Sequence, residues 1–189
     1  TRRSSDLATN YNRRNKNVRL YEMGNIYIPQ ELPLTELPDE RMQFTLGMYG
    51  DGDFFNMKGV VEEFFEKIGM KGREKYDPNA GKSFLHPGRQ ANIIYDGKVV
   101  GYLGEVHPEV ADIYGIGERA YVAVLDMPEI IPYATFDRKY TGIAKYPAVT
   151  RDISMVVPKE ILVGQIEEKI GSTRLNSSHP SISYAVFCL

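Results

Sequence analysis

His86, Glu105 and His107 are the residues of this chain best equipped to do chemistry. Imidazoles and a carboxylate together could bind a divalent metal or pass a proton. Their setting argues for a plainer role. Each histidine precedes a proline, in His86-Pro87-Gly88-Arg89 and in Gly104-Glu105-Val106-His107-Pro108. Pro-locked corners need side chains that satisfy nearby backbone groups, and His and Glu do this. Zinc sites carry a fuller ligand set at recognisable spacing. The three are therefore read as corner residues, and no catalytic, cofactor-binding or metal-binding residue is assigned. A second acidic set, Asp53, Glu62, Glu63 and Glu66, follows a helical repeat whose positions do not converge, and reads as a solvated face. Arg13, Arg14 and Lys16 could touch RNA, but cations at a helix C-terminus are also favoured by its macrodipole and by solvent.

The elements that must carry these residues follow from periodicity. Residues 84–110 read as two strands joined by Asp96-Gly97, a pair suited to a type I′ turn. Ile93 and Tyr95 before the turn, and Val99, Gly101 and Leu103 after it, are placed on one pleat face. Pro108 opens a helix through Tyr114. Upstream, residues 18–28 form a strand interrupted at Gly24, where a bulge or a close approach is expected. Prolines break regular structure over 29–39. Residues 42–49 alternate, with Met42, Phe44, Leu46 and Met48 on one face. Asp53 is placed to cap a helix over 54–68, whose apolar stripe is Met57, Val60, Val61, Phe64 and Ile68 and whose stop is Gly69. A short strand over 71–76, an alternating strand over 120–126 and a short helix or turn over 128–136 complete this part. A shift in composition at 137–141 marks a domain boundary, followed by a strand over 152–157 and the start of a helix over 162–169.

Both ends carry peptides that match the translation of laboratory DNA. TRRSSDL, residues 1–7, is what the genetic code gives for ACA CGA CGC TCT TCC GAT CT plus one base, which looks like a common sequencing adapter. STRLNSSH and ISYAVFCL, within 172–189, fit its partner, with Pro180-Ser181 where an index barcode would sit. Residues 1–7 and 172–189 are thus expected to be foreign, with the native piece running from 8 to 169 or 171. Setting them aside removes the only cysteine, Cys188, and with it thiol catalysis, disulfides and Cys-bearing metal sites. It also removes His179, Arg2, Arg3 and Arg174 against Asp6, so the remainder is more acidic than the whole chain, whose net charge is −2. Net charge therefore does not support a broad nucleic-acid-binding face. No apolar run reaches the roughly 20 residues that a bilayer requires. The length suits one domain and part of a second.

Four strings resemble one family. Leu20-Tyr21-Glu22-x-Gly24, DFFNMKGVVE from Asp53, HPGRQA with the following GYLGEVHP, and KYPAVTRDISMVV from Lys145 are similar to stretches of the β subunit of bacterial-type phenylalanyl-tRNA synthetase. The resemblance implies an α+β fold: an antiparallel sheet with flanking helices, the class II synthetase-like core, over residues 8–136. Residues 137–171 would be a linker and the start of a ferredoxin-fold anticodon-binding domain, truncated after its first strand and part of its first helix. It implies a cytoplasmic α2β2 enzyme that charges its tRNA with phenylalanine, using ATP and magnesium. In that family the α subunit does the chemistry, so this piece is expected to be non-catalytic, to bind no cofactor itself, and to serve assembly with the α subunit and tRNA binding. Class II sites carry a Gly-rich motif whose arginine reaches ATP from a helix. Here Gly115-Ile116-Gly117-Glu118-Arg119 leads into a strand pattern, so Arg119 is read as a strand-entry residue. For tRNA, Lys145 and Arg151 are the candidates for phosphate and Tyr146 for stacking. The competing reading is an independent class II ligase with its own ATP site. A free RNA-binding module is disfavoured by the acidic balance.

Overall fold

Asp96 and Gly97 turn the chain at φ angles of 51° and 80°, the left-handed pair that a type I′ hairpin requires. Around this turn the computed structural model places strands β4 (Leu85–Tyr95) and β5 (Lys98–Val106). The structure describes residues 2–33, 35–70, 72–137, 140, 151–158, 160–172 and 182–188. It divides into two units, Thr1–Arg138 and Lys139–Leu189.

The first unit is built on one sheet. Strands β1 (Val18–Ile28), β2 (Asp39–Tyr49), β3 (Glu74–Asp77) and β6 (Ala120–Asp126) join the hairpin in the order β1-β2-β6-β5-β4-β3. Every neighbouring pair is antiparallel. β6 lies between the two hairpins, and six of its seven residues are buried.

One face packs against α2 (Phe54–Lys67). Asp53 starts this helix with a reciprocal cap: its carboxylate accepts the Asn56 N–H at 2.8 Å, and the Asn56 side-chain oxygen accepts the Asp53 N–H at 2.9 Å. The helix buries Met57, Val61 and Phe65 against Leu46, Ile93, Leu103 and Leu125 of the sheet. The expected stripe is therefore turned by part of a residue step. Val60, placed inward by the repeat, is 39% exposed, and Phe65, left out of it, is fully buried. The other face meets α1 (Arg2–Asn12) and α3 (Pro108–Ile113) in a smaller cluster of Leu7, Ala8, Val18, Tyr49, Ala111 and Ile116. Helix α1 thus continues back through residues expected to be foreign, and Leu7 is only 1% exposed. A helical conformation there concerns packing and is separate from the origin of the codons.

Two expectations about the strands are corrected. The β1–β2 ladder runs unbroken from Val18↔Tyr49 to Ile28↔Asp39, so Gly24 makes no bulge. The irregularity lies in the hairpin, where Ile93 pairs with Gly101 and Ile94 with Val99, leaving Val100 as the extra residue. That bulge reverses the side-chain parity. Val100 enters the core, and Val99, expected there, is 54% exposed. Gly101 is required for a different reason: a Cβ at that position would collide with the Val124 carbonyl of the adjacent strand. After β6 the chain closes with α4 (Met127–Ile130) and a 3-10 turn at Ile131–Tyr133.

The second unit contains β7 (Arg151–Val157), α5 (Val163–Ser172) and β8 (Ile182–Cys188). β8 pairs with β7 in parallel, from Arg151↔Ile182 to Val157↔Cys188. β8 lies within residues 172–189, the stretch expected to be foreign. The β-branched and aromatic residues of ISYAVFC give that peptide a strand propensity whatever its source. β7 and β8 are direct neighbours, so this unit does not display the split strand order of a ferredoxin-like sheet. Among the described residues no helix is long and apolar enough to cross a membrane.

Candidate functional site

The His-Pro corner that opens β4 is a blister in the ladder. Leu85 pairs with Val106 and the next rung is Gln90 with Gly104, so His86 to Arg89 all lie opposite Glu105. The chain closes this excursion on itself. Arg89 folds back so that one terminal nitrogen donates to both oxygens of Glu105 at 3.0 Å. Glu105 is 3% exposed, and the Arg119 Nε approaches the same carboxylate at 3.9 Å. Two guanidiniums and one carboxylate make a compact charged clasp at the end of β4, β5 and β6.

The histidines act as the corner reading expects. The His86 Nδ1 accepts the Gly88 N–H at 3.1 Å, and the His107 Nδ1 accepts the Glu109 N–H at 3.3 Å, capping α3. Both oxygens of Glu105 are engaged by Arg89, so the three residues do not form a ligand set. Among the described residues no group of three or more His, Cys, Asp or Glu could hold a metal ion. Glu62 and Glu63 of the acidic helix face pair with Lys58 at 2.6 Å and Lys67 at 3.0 Å. Arg119 stands immediately before β6, largely exposed, as a strand-entry residue. Lys145 and Tyr146 lie outside the described residues, and Arg151 is the first residue of β7.

A groove of about 470 Å³ lies on the face away from α2. Its floor is a row across four strands, since Glu22 faces Thr45, Thr45 faces Val124 and Val124 faces Tyr102. Residues directly opposite in an antiparallel ladder point to the same side, so all four reach the groove. Gln43 adds an amide near Glu22, while Phe84, Val106 and Val110 wall the far end. Phe84 packs edge-on against Tyr102 with ring centroids 5.9 Å apart. Glu22 is the only charged residue of the lining. A triphosphate with magnesium needs cations and convergent carboxylates, and this lining fits neither. Alternation over 42–49 put Gln43 and Thr45 on the polar face but held no sign that the face was concave. That required knowing that β6 lies beside β2.

Burial raises the hydroxyl pKa values of Tyr49, Tyr76, Tyr102 and Tyr121. The Tyr76 hydroxyl is pushed up strongly by desolvation and then by Glu62, and that of Tyr102 is pushed up by desolvation. A folded-state pKa raised above the ordinary 10.0 stabilises the fold fully below that pH and loses the contribution as pH rises past it. In an alkaline titration, Tyr76 and Tyr102 are expected to ionise together with the loss of secondary structure, later than the exposed tyrosines. Tyrosinate absorbance followed beside circular dichroism checks this, and early ionisation of both phenols in a still-folded chain would contradict it.

The antiparallel sheet with helices on both faces has the aminoacyl-tRNA synthetase core fold. A pyrrolysyl-tRNA synthetase from Desulfitobacterium hafniense superposes with a TM-score of 0.54 at 10% identity, over 69% of this chain and 46% of that one. The chain belongs to the family described as the phenylalanyl tRNA synthetase beta chain CLM domain, which matches residues 5–127. It is 42% identical over 174 residues to the phenylalanine–tRNA ligase beta subunit of Clostridium acetobutylicum, covering 90% of this chain and 22% of that protein. It is 38% identical over 164 residues to that of Clostridium tetani, covering 87% and 20%. The chain therefore spans about a fifth of the length of these relatives.

Proposed function

We propose that this chain is a non-catalytic core of the β subunit of a phenylalanine–tRNA ligase. It supports the ATP-dependent charging of tRNA through assembly with an α subunit in an α2β2 enzyme. The observation that carries the reading is the groove. Its lining has one carboxylate and no cation, so it offers nothing to a triphosphate. Arg119, the nearest candidate for an ATP contact, is directed to Glu105 instead. Residues 8–136 form the core in this reading. Residues 137–171 are a linker and the opening of the anticodon-binding domain, and 1–7 and 172–189 are adapter-encoded. Recovering those flanks in genomic DNA of the source cell would refute the last point.

Purified chain mixed with ATP, phenylalanine and pyrophosphate is expected to give no isotope exchange unless an α subunit is added. Exchange by the chain alone would establish the competing reading, an independent ligase with its own ATP site. Lys145 and Arg151 are proposed to meet tRNA phosphates and Tyr146 to stack on a base. In the assembled enzyme Arg151→Ala is expected to weaken tRNA binding by about three- to tenfold and to flatten its salt dependence. Unchanged affinity would remove the contact.

A further inference from the structure

Residues 12–17, Asn-Arg-Arg-Asn-Lys-Asn, carry the chain from the last residue of α1 to β1, and all six are exposed, with no acidic or apolar residue among them. Arg13, Arg14 and Lys16 put three positive charges into four positions. The negative end of the α1 dipole offsets only about half an elementary charge. No carboxylate pairs with any of the three among the described residues, whereas Arg19, Arg41, Lys58, Arg73 and Arg89 each have one. Asp51, beside this loop, is engaged by Arg19 at 3.5 Å. The loop is tied down at several points. The Tyr49 hydroxyl donates to the Asn15 carbonyl at 2.8 Å, the Asn15 amide to the Asn10 side chain at 2.9 Å, and the Asp51 N–H to the Asn17 side-chain oxygen at 3.2 Å. Gly50 permits this approach, since a Cβ there would strike the Lys16 carbonyl. Arg14 has a φ of 61°, the left-handed position after a helix that glycine or asparagine ordinarily fills. An arginine is unfavourable for the backbone there and makes no ion pair in return.

From this uncompensated charge on a fixed loop we infer that residues 12–17 grip the phosphate backbone of an RNA, with Arg13, Arg14 and Lys16 on phosphates and the interleaved asparagine amides on phosphate or sugar oxygens. A protein partner would need an apolar centre to bury, and a membrane an apolar face; the loop offers neither. The choice of RNA among polyanions rests on the proposed ligase role. In sequence the site is distinct from Lys145, Tyr146 and Arg151.

The full chain, titrated with a fluorescently labelled tRNA for phenylalanine, is expected to bind saturably. In the triple variant Arg13→Ala, Arg14→Gly, Lys16→Ala, affinity should fall by at least about tenfold at low salt. Loss of three phosphate contacts should also flatten the fall in affinity between roughly 50 and 200 mM salt by about 20- to 40-fold. Arg14→Gly alone should weaken binding about threefold while holding or raising the melting temperature, because glycine suits the φ of 61°. An arginine that served only the fold would lower the melting temperature instead. Lys98→Ala removes the same charge beside the hairpin turn and should change neither quantity. No saturable binding by the parent, an unchanged salt slope in the triple variant, or an equal loss in Lys98→Ala would each overturn the inference. So would polyglutamate that binds as tightly as the tRNA and is lost to the same extent in the triple variant. The ligase role is tested apart, since the isotope exchange supported by an α subunit contains no tRNA and should survive in the triple variant. If the parent chain gave no such exchange but lost tRNA binding with the loop charges, the subunit role would fail and the loop site would stand.

Discussion

Phe65→Ala is expected to remove about 4 kcal/mol of stability and to lower the melting temperature by roughly 10 °C. Phe65 is fully buried in the larger core, edge-on to Tyr95 with ring centroids 6.3 Å apart, and tilted against Phe64 at 6.0 Å. Truncation loses the transfer free energy of the ring and leaves a cavity that the sheet cannot collapse into. Against a total stability of about 5–15 kcal/mol, that is a large share. Val60→Ala, on the same helix but partly exposed, is expected to stay within about 1 kcal/mol of the parent. Denaturant melts of the two variants test the assignment of faces. Equal losses would mean that the helix sits rotated from its observed position.

Arg89→Ala is expected to cost about 3 kcal/mol, the low end for breaking a buried ion pair, because Arg89 is itself partly solvated while Glu105 is not. The loss arises less from the missing attraction than from a carboxylate stranded in a dry site, with Arg119 only at 3.9 Å. Glu105→Gln in the Arg89→Ala background should therefore recover roughly 1–2 kcal/mol by removing the stranded charge. A complete double-mutant cycle measures this. If the double variant were no more stable than Arg89→Ala alone, the clasp would be a packing contact only.

The Phe65 and Val60 exchange shows where the sequence stopped being readable. Its repeat specified that residues 54–68 form an amphipathic helix, but Val60-Val61 and Phe64-Phe65 offer two adjacent faces of similar apolarity. The sheet beneath decides between them. The hairpin turn was legible because Asp96-Gly97 leaves few backbone alternatives. The bulge beyond it was not, since Val99 and Val100 are the same residue type and only pairing with Ile93 and Ile94 distinguishes them. Gly24 misled in the opposite way, as a glycine in a strand that meets nothing within 4 Å and disturbs no rung. Of the charged clasp, Glu105 was visible but Arg89 was not. Reaching that pair needed the knowledge that four consecutive residues leave the ladder on one side only. The groove likewise depends on strand order, which no local pattern encodes.

That order has a consequence for how the chain is made. The β1–β2 and β4–β5 hairpins can each close soon after leaving the ribosome, yet nothing joins them until Ala120–Asp126 arrives to sit between them. Until then, the nascent polypeptide carries two separate ribbons with unsatisfied inner margins, and α2 has only part of its seat. Late insertion of one apolar segment turns these into a single body. Synthesis halted just short of that segment would yield a sticky, protease-sensitive intermediate rather than a smaller version of the same fold.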